Sequence, residues 1–290
     1  MINQLKLFID LTRLKKPIGF MLLFWPCAWG LTLAYDFNMQ LLNYFFYLTL
    51  FFFGSVLMRS AGCIVNDIFD KEFDAKVFRT KNRPIASGKI SIQLGIFYSL
   101  ILCFVALLVL LNFNSFTIIL ALCSMPLAFT YPLMKRFTYW PQLFLGITFN
   151  YGLILGWTAV TNQINLAPII FYFGAIFWTL GYDTIYGFQD IKDDEIIGLK
   201  STSIKFKNRE KLFIYVCWSV LFISLLFGGY YMNFGKIYFI TCAFPFLHLF
   251  FYQVKTFDPK DSFTCLKIFK SNNLFGLIIY LNILISKILL

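Results

Sequence analysis

The 290-residue chain is short of charge: Asp, Glu, Lys and Arg make up only 13% of it, against about a quarter of an ordinary soluble domain. With 59% hydrophobic residues it cannot cover a water-facing surface, which excludes a soluble globular domain and indicates an integral membrane protein. Histidine is almost missing. His248, the single one, sits in an apolar run near Pro245 and reads as a core or lipid-facing residue rather than a ligand. A chain with one histidine has no histidine cluster for a metal and no placed Ser-His pair for nucleophilic catalysis. No C-x-x-C pair occurs among Cys27, Cys63, Cys103, Cys123, Cys217, Cys242 and Cys265, nearly all of which lie in apolar runs. A disulfide frame and a zinc site are thereby excluded in favour of reduced packing residues.

What the chain has in quantity is long apolar runs, at 17–35, 41–65, 92–111, 115–131, 141–160, 166–182, 211–231, 235–254 and 273–290. Most approach the ~20 residues that cross a hydrocarbon core of about 30 Å. The expected fold is therefore an all-α integral membrane protein, one domain over residues 1–290 with nine transmembrane helices in a single bundle. The basic segment before the first run resembles a signal peptide, but the run is long, contains Trp25, Pro26 and Trp29, and lacks a small-x-small cleavage site. It reads as the first span. Lipid tolerates exposed rings, which fits an aromatic content of 21% with 38 Phe.

The net charge of +11 would suggest nucleic acid in a soluble chain, yet the cations sort by loop. With nine spans, all of the 25 Lys and Arg except Arg59, Lys236 and Lys287 fall in the N-terminal segment or in the second, fourth, sixth and eighth loops. By the positive-inside rule these face the cytoplasm, so no nucleic-acid partner is implied. The connections on the other side, such as Asn112–Ser115 and Thr161–Asn165, are short and nearly uncharged.

Two of the runs end in acid. Asn66, Asp67, Asp70 and Asp74 follow the second, and Asp183, Tyr186, Asp190 and Asp194 follow the sixth. Asp67, Asp70 and Asp74 at i, i+3 and i+7, and Asp183, Tyr186, Asp190 and Asp194 at i, i+3, i+7 and i+11, each fall on one face of a continuing helix. Grouped carboxylates repel, so they imply a compensating cation, most simply Mg2+, unless each is only a solvated helix end. Arg79, Lys81, Arg83 and Lys89 follow the first cluster, and Lys200, Lys205, Lys207 and Arg209 the second. Both clusters lie on the cytoplasmic side, and together they suit a diphosphate and a metal facing a cavity open to that side. Arg59, two turns before Asn66, needs a partner within its span, either a motif carboxylate or a substrate. Asn66 either joins the Mg2+ shell or orients an aspartate, and Asn150 is either interhelical glue or part of a polar cavity. Gly152 and Gly156 form a G-x-x-x-G suited to close helix packing.

The pair Asn66-Asp67-x-x-Asp70-x-x-x-Asp74 and Asp183-x-x-Tyr186-x-x-x-Asp190-x-x-x-Asp194 resembles the two aspartate motifs of the UbiA superfamily of membrane prenyltransferases. Met58–Cys63, Arg79–Gly88 and Tyr131–Gln142 are similar to the 4-hydroxybenzoate polyprenyltransferase branch, and the resemblance runs from Arg13 to Thr202, thinning after about residue 210. It implies transfer of a polyprenyl group from an allylic polyprenyl diphosphate to the ring carbon of 4-hydroxybenzoate ortho to its hydroxyl, in ubiquinone synthesis at a bacterial inner membrane. It implies Mg2+ held by Asn66, Asp67, Asp70, Asp74, Asp190 and Asp194, and diphosphate held by Arg79, Arg83, Lys135 and Lys200. Asp190, Asp183 and Arg136 are the implied catalytic residues. The acceptor then lies at Asp190 through its hydroxyl, at Arg136 through its carboxylate, and near Tyr186. A relative acting on a naphthoate or on haem is the nearest alternative. A membrane cation transporter fits less well, because transporters place ionisable groups near the midplane, not at span ends on one side.

Overall fold

The computed structural model describes residues 2–77 and 79–289, and every regular element among them is helical. The first half runs α1 (Ile2–Thr12), α2 (Ile18–Ala34), α3 (Leu41–Phe69), the single turn α4 (Lys71–Asp74), α5 (Ile92–Leu110) and α6 (Ser115–Thr130). A 3-10 turn at Tyr131–Leu133 leads to α7 (Met134–Phe137), then α8 (Pro141–Thr161) and α9 (Leu166–Gly187). The rest comprises α10 (Ile191–Ile196), α11 (Thr202–Lys205), α12 (Glu210–Tyr231), α13 (Lys236–Thr241), α14 (Ala243–Phe246), a π-helical stretch at Leu247–Gln253, α15 (Val254–Thr256) and α16 (Ser262–Ile288).

Eight helical segments among the described residues are long and apolar enough to cross a membrane. The ninth expected span is α2, an apolar helix of 17 residues that falls just short of that length. The last span also differs from expectation. It starts at Ser262, not near 273, because Asp261 caps it by accepting from the Phe263 N–H, so Lys267 and Lys270 lie on its first turns rather than in a loop. Its expected last residue, Leu290, lies outside the described residues. Other starts are marked the same way: Ser91 accepts from the Leu94 N–H and Asn114 from the Thr117 N–H. Asn162, at φ 54°, takes the left-handed conformation that ends α8.

The centre of the bundle is α2 against α8. A Cβ on Gly30 would stand 1.9 Å from the Leu153 carbonyl oxygen, and one on Gly156 would stand 2.3 Å from that of Cys27. Backbone therefore meets backbone there, the close packing that small residues allow between helices in lipid. Trp29 and Trp178 pack at 5.0 Å beside this contact, and their indole N–H groups donate to the Gly276 carbonyl (2.9 Å) and to Asn272 Oδ1 (2.8 Å). The amide of Gln253 also bonds Asn272 Oδ1 and faces His248 Nδ1 at 3.2 Å, which places the single histidine in a buried polar cluster of the core. Outward faces are apolar, as at Phe97, Leu100 and Phe104 of α5 and Ile119 and Leu122 of α6.

Candidate active site

The two acidic motifs sit where α3 and α9 end, and neither continues as one helix. Asp70 (φ −94°, ψ 3°) interrupts α3 before the turn α4, and Asp190 (φ −115°, ψ 6°) stands between the end of α9 and α10. Each bend keeps a helical hydrogen bond across itself, Asp74 N–H to Asp70 O at 2.7 Å and Asp194 N–H to Asp190 O at 2.9 Å. The single helical face expected from spacing is thus broken at corresponding points of both motifs. Carboxylates stacked on one continuous face would repel, whereas the bends let each turn to its own cation.

Those cations come from distant parts of the chain. Asp67, 1% exposed, accepts at Oδ1 from Arg13 Nη2 (2.6 Å) and from Arg83 Nη1 (3.2 Å), and Arg83 also reaches Asp74 Oδ2 at 2.7 Å. Lys135 pairs with Asp70. Arg136 lies 3.9 Å from Asp70 Oδ1, donates to the Phe69 carbonyl at 2.6 Å and stands 5.2 Å from the Phe73 ring. Arg79 pairs with Asp190 and donates to Tyr186 Oη at 3.0 Å, which joins the first motif's loop to the second motif. Asn66 is half-buried one turn before Asp70, and Asp183 is half-buried one turn before Gly187, at the end of α9.

Not every expected residue joins this cluster. Lys200 donates to the Phe137 carbonyl at 3.3 Å and stands 5.7 Å from the Tyr139 ring, on the outer side of the loop that holds Lys135. Arg13 had no assigned role, yet it reaches Asp67. Its φ of 55° is unusual for a residue with a side chain, a strain that the buried ion pair sustains. The hints of it in the sequence were its place just before the first span and at the start of the family resemblance. Arg59 makes no ion pair within 4 Å among the described residues, but its charge acts on Asp183 of the second motif, one of the two kinds of partner expected for it. It stands 5.3 Å over the Phe149 ring and packs against Gly19, whose Cβ would lie 2.8 Å from its Nε. Asn150 donates to the Gly146 carbonyl (2.8 Å) and to Thr179 Oγ1 (2.7 Å), so it ties α8 to α9 as glue.

Burial raises the carboxyls of Asp74 and Asp190, with Arg83 and Arg79 respectively opposing the rise. Asp194 goes up to about 6, pushed by burial and then by the charge of Asp190. Among the described residues no three acidic, cysteine or histidine side chains are gathered closely enough to hold a metal ion alone. Asp70 Oδ1 is nevertheless buried with no hydrogen-bond donor. An acceptor left that way is costly, and a hard cation with a liking for carboxylate oxygen would satisfy it. The donor set therefore fits a divalent cation such as Mg2+ that also binds oxygens of a ligand.

Below the acidic ends lies a cavity of about 220 Å³ between α2, α3, α5, α6 and α8. Arg59, Tyr131 and Phe149 line one part of it, and Phe51, Leu110 and Phe113 another. Phe51 and Phe113 pack at 4.8 Å there. A polar, cation-rich rim over an apolar hole suits an amphiphile with an anionic head and a hydrocarbon tail.

Residues 23–278 match the family model described as the UbiA prenyltransferase family. The chain is 42% identical to the mitochondrial 4-hydroxybenzoate polyprenyltransferase of Bos taurus over 99% of its own length and 76% of the relative's. It is 40% identical to the corresponding Arabidopsis thaliana protein (98% and 70%) and 40% identical to 4-hydroxybenzoate geranyltransferase 2 of Lithospermum erythrorhizon (99% and 92%). Among solved structures, a UbiA homolog from Aeropyrum pernix K1 superposes with a TM-score of 0.77 at 22% identity, covering 91% of this chain and 97% of that one. A UbiA homolog from Archaeoglobus fulgidus bound to GPP and Mg2+ superposes with a TM-score of 0.73 at 17% identity, covering 96% of each. With acidic helix ends, basic loops and apolar cavity arranged as above and relatives matching along nearly its whole length, this membrane-helical chain belongs to the UbiA prenyltransferase family.

Proposed function

We propose that this chain transfers a polyprenyl group from an allylic polyprenyl diphosphate to the ring carbon ortho to the hydroxyl of 4-hydroxybenzoate, releasing diphosphate, as a step of ubiquinone biosynthesis. The observation that carries the reading is the Arg79–Asp190 pair, which joins the loop after the first acidic helix end to the second acidic helix end above an apolar cavity. The names of the relatives supply the substrates. In this reading α2 is the first of nine spans, and the site faces the cytoplasm of a bacterial inner membrane, in keeping with the basic loops.

Asn66, Asp67, Asp70, Asp74, Asp190 and Asp194 would hold Mg2+, the unpartnered Asp70 Oδ1 being the clearest vacant donor. Bound there, Mg2+ supplies neutralisation of the negative charge that develops on the departing diphosphate. Arg79, Arg83 and Lys135 add fixed positive charge at the same place, and Lys200 is an outer member of that set. The C–O bond of the donor breaks, and the apolar walls keep the allyl cation from water until the ring carbon attacks it. Asp190, its carboxyl raised by burial, takes the phenolic proton and so makes the ring more electron-rich. When the ring proton leaves, Asp190 returns the proton to the oxygen, and the net proton departs with diphosphate. Asp183 and Tyr186 shape the acceptor side, and Arg136 holds the acceptor carboxylate.

The test is to incubate membranes containing the chain with Mg2+, labelled 4-hydroxybenzoate and an allylic diphosphate. An apolar labelled product that disappears on chelation is expected. No product from this acceptor, with product from a labelled naphthoate, would move the chain to another acceptor.

A further inference from the structure

Most glycines inside the helices are there because something else occupies the place of a Cβ. Gly30, Gly146, Gly152, Gly156, Gly181 and Gly276 would each put a Cβ within 3 Å of another helix. Gly54 and Gly62 differ. Both lie within α3, and a Cβ on either would meet no atom within 4 Å. Both line the apolar cavity, whereas Gly152, which also lines it, is closed off by Cys27 Sγ at 2.4 Å from its would-be Cβ. Glycine is the poorest helix former after proline, so two of them in a helix with no packing reason call for another one.

The face of α3 supplies it. Gly62 is one turn before Asn66 and two before Asp70, directly beneath the acidic end, and Gly54 is eight residues further down the same helix. At 1.5 Å per residue the two glycines are about 12 Å apart along the axis. An extended carbon chain advances roughly 1.2 Å per main-chain bond, so a ten-carbon geranyl chain, with seven such bonds, covers about 8 Å and a twenty-carbon chain about 18 Å. A donor whose diphosphate sits at the acidic ends passes Gly62 with its first unit and reaches Gly54 only when it is longer than ten carbons.

We propose that Gly62 and Gly54 are specificity-determining residues of the prenyl donor, Gly62 keeping the neck of the cavity open for every donor and Gly54 admitting the further isoprene units of long ones. The inference rests on the proposed prenyl transfer and adds to it which residues set the accepted length.

The experiment uses membranes containing the full chain, 4-hydroxybenzoate, Mg2+ and all-trans allylic diphosphates of ten, fifteen, twenty and more carbons. Products are separated by reverse-phase chromatography. For Gly54→Leu the ratio of kcat/KM on a twenty-carbon or longer donor to that on the ten-carbon donor should fall at least tenfold, with Gly54→Ala intermediate. Gly62→Leu should lower kcat/KM on all donors together, leaving that ratio within twofold of the starting protein. An unaltered length ratio in Gly54→Leu would overturn the inference while leaving the proposed function standing. Failure of the unsubstituted chain on every donor would overturn the proposed function and the inference with it.

Discussion

Arg79 and Asp190 form an ion pair across 111 residues of sequence, the guanidinium coming from the loop after α4 and the carboxylate from the bend after α9. A second bond from the same guanidinium to Tyr186 Oη, at 3.0 Å, fixes its orientation. The loop that follows the first motif thereby supplies the counter-charge of the second. Removing the guanidinium leaves Asp190 without its counter-charge and, in the proposed function, the donor without one of its phosphate contacts. Arg79→Ala should lower kcat/KM for the prenyl donor on the order of 10- to 100-fold, the worth of one charge-assisted contact. Because Arg79 is 43% exposed, thermal stability should scarcely change. Equal loss of stability and activity would make the pair a structural tie only.

Asp70→Asn should remove activity while the protein still reaches the membrane in normal amount. The change weakens the cation site and releases Lys135 from its partner, and loss of one such electrostatic element costs about 3 to 4 kcal/mol, or 100- to 1000-fold in rate. Membranes assayed across a Mg2+ series decide it. Near-normal rates at limiting Mg2+ would free Asp70 from the assignment.

Arg136 separates two roles. If it holds the acceptor carboxylate, Arg136→Ala should raise KM for 4-hydroxybenzoate about 10- to 100-fold and that for the donor far less. Its present bond to the Phe69 carbonyl, at 2.6 Å, also lets it act as a cap on the end of α3. In that case both constants should hold within about twofold while thermal stability falls. Measuring both constants and a melting curve on one preparation distinguishes the outcomes.

Acid should act through Asp194. Its carboxyl, at about 6, must be ionised to bind a dication, so the Mg2+ concentration for half-maximal rate should rise about tenfold per pH unit below about 6 and be restored by more Mg2+. Stability moves the other way. A folded-state value raised above the ordinary 3.8 means that protonation favours the fold, a contribution fully present below about 4 and lost as pH climbs to about 6. Acid inactivation between pH 6 and 5 that excess Mg2+ fails to reverse would point away from this carboxylate.

The nine spans and cytoplasmic N-terminus proposed above would put the end of α16 on the far side. A reporter active only in the cytoplasm should be silent when fused there and active when inserted at Lys260. Activity at both places would mean that α16 does not cross, whereas silence at Lys260 with activity at the end of α16 would mean that α2 does not.

The sequence alone determined what depends on local composition. Hydropathy over twenty residues located the long helices apart from the start of the last, the distribution of Lys and Arg supplied the proposed orientation, and the clustering of Asp at two run ends marked the candidate site. Each of these is written in consecutive residues. Tertiary structure decided what depends on neighbours from elsewhere in the chain. Spacing suggested one helical face for each motif, but the cations that meet them, Arg13 from before the first span and Lys135 from between α6 and α8, favour bends at Asp70 and Asp190. Arg59 was expected to meet a motif carboxylate or a substrate, and the fold sets it over the Phe149 ring of α8, where its charge also acts on Asp183 from α9. The glycines make the distinction sharpest. Gly54, Gly62, Gly152 and Gly156 all lie within apolar runs of the sequence, and only the approach of other helices separates the two that face open space from the two that another backbone or side chain has filled.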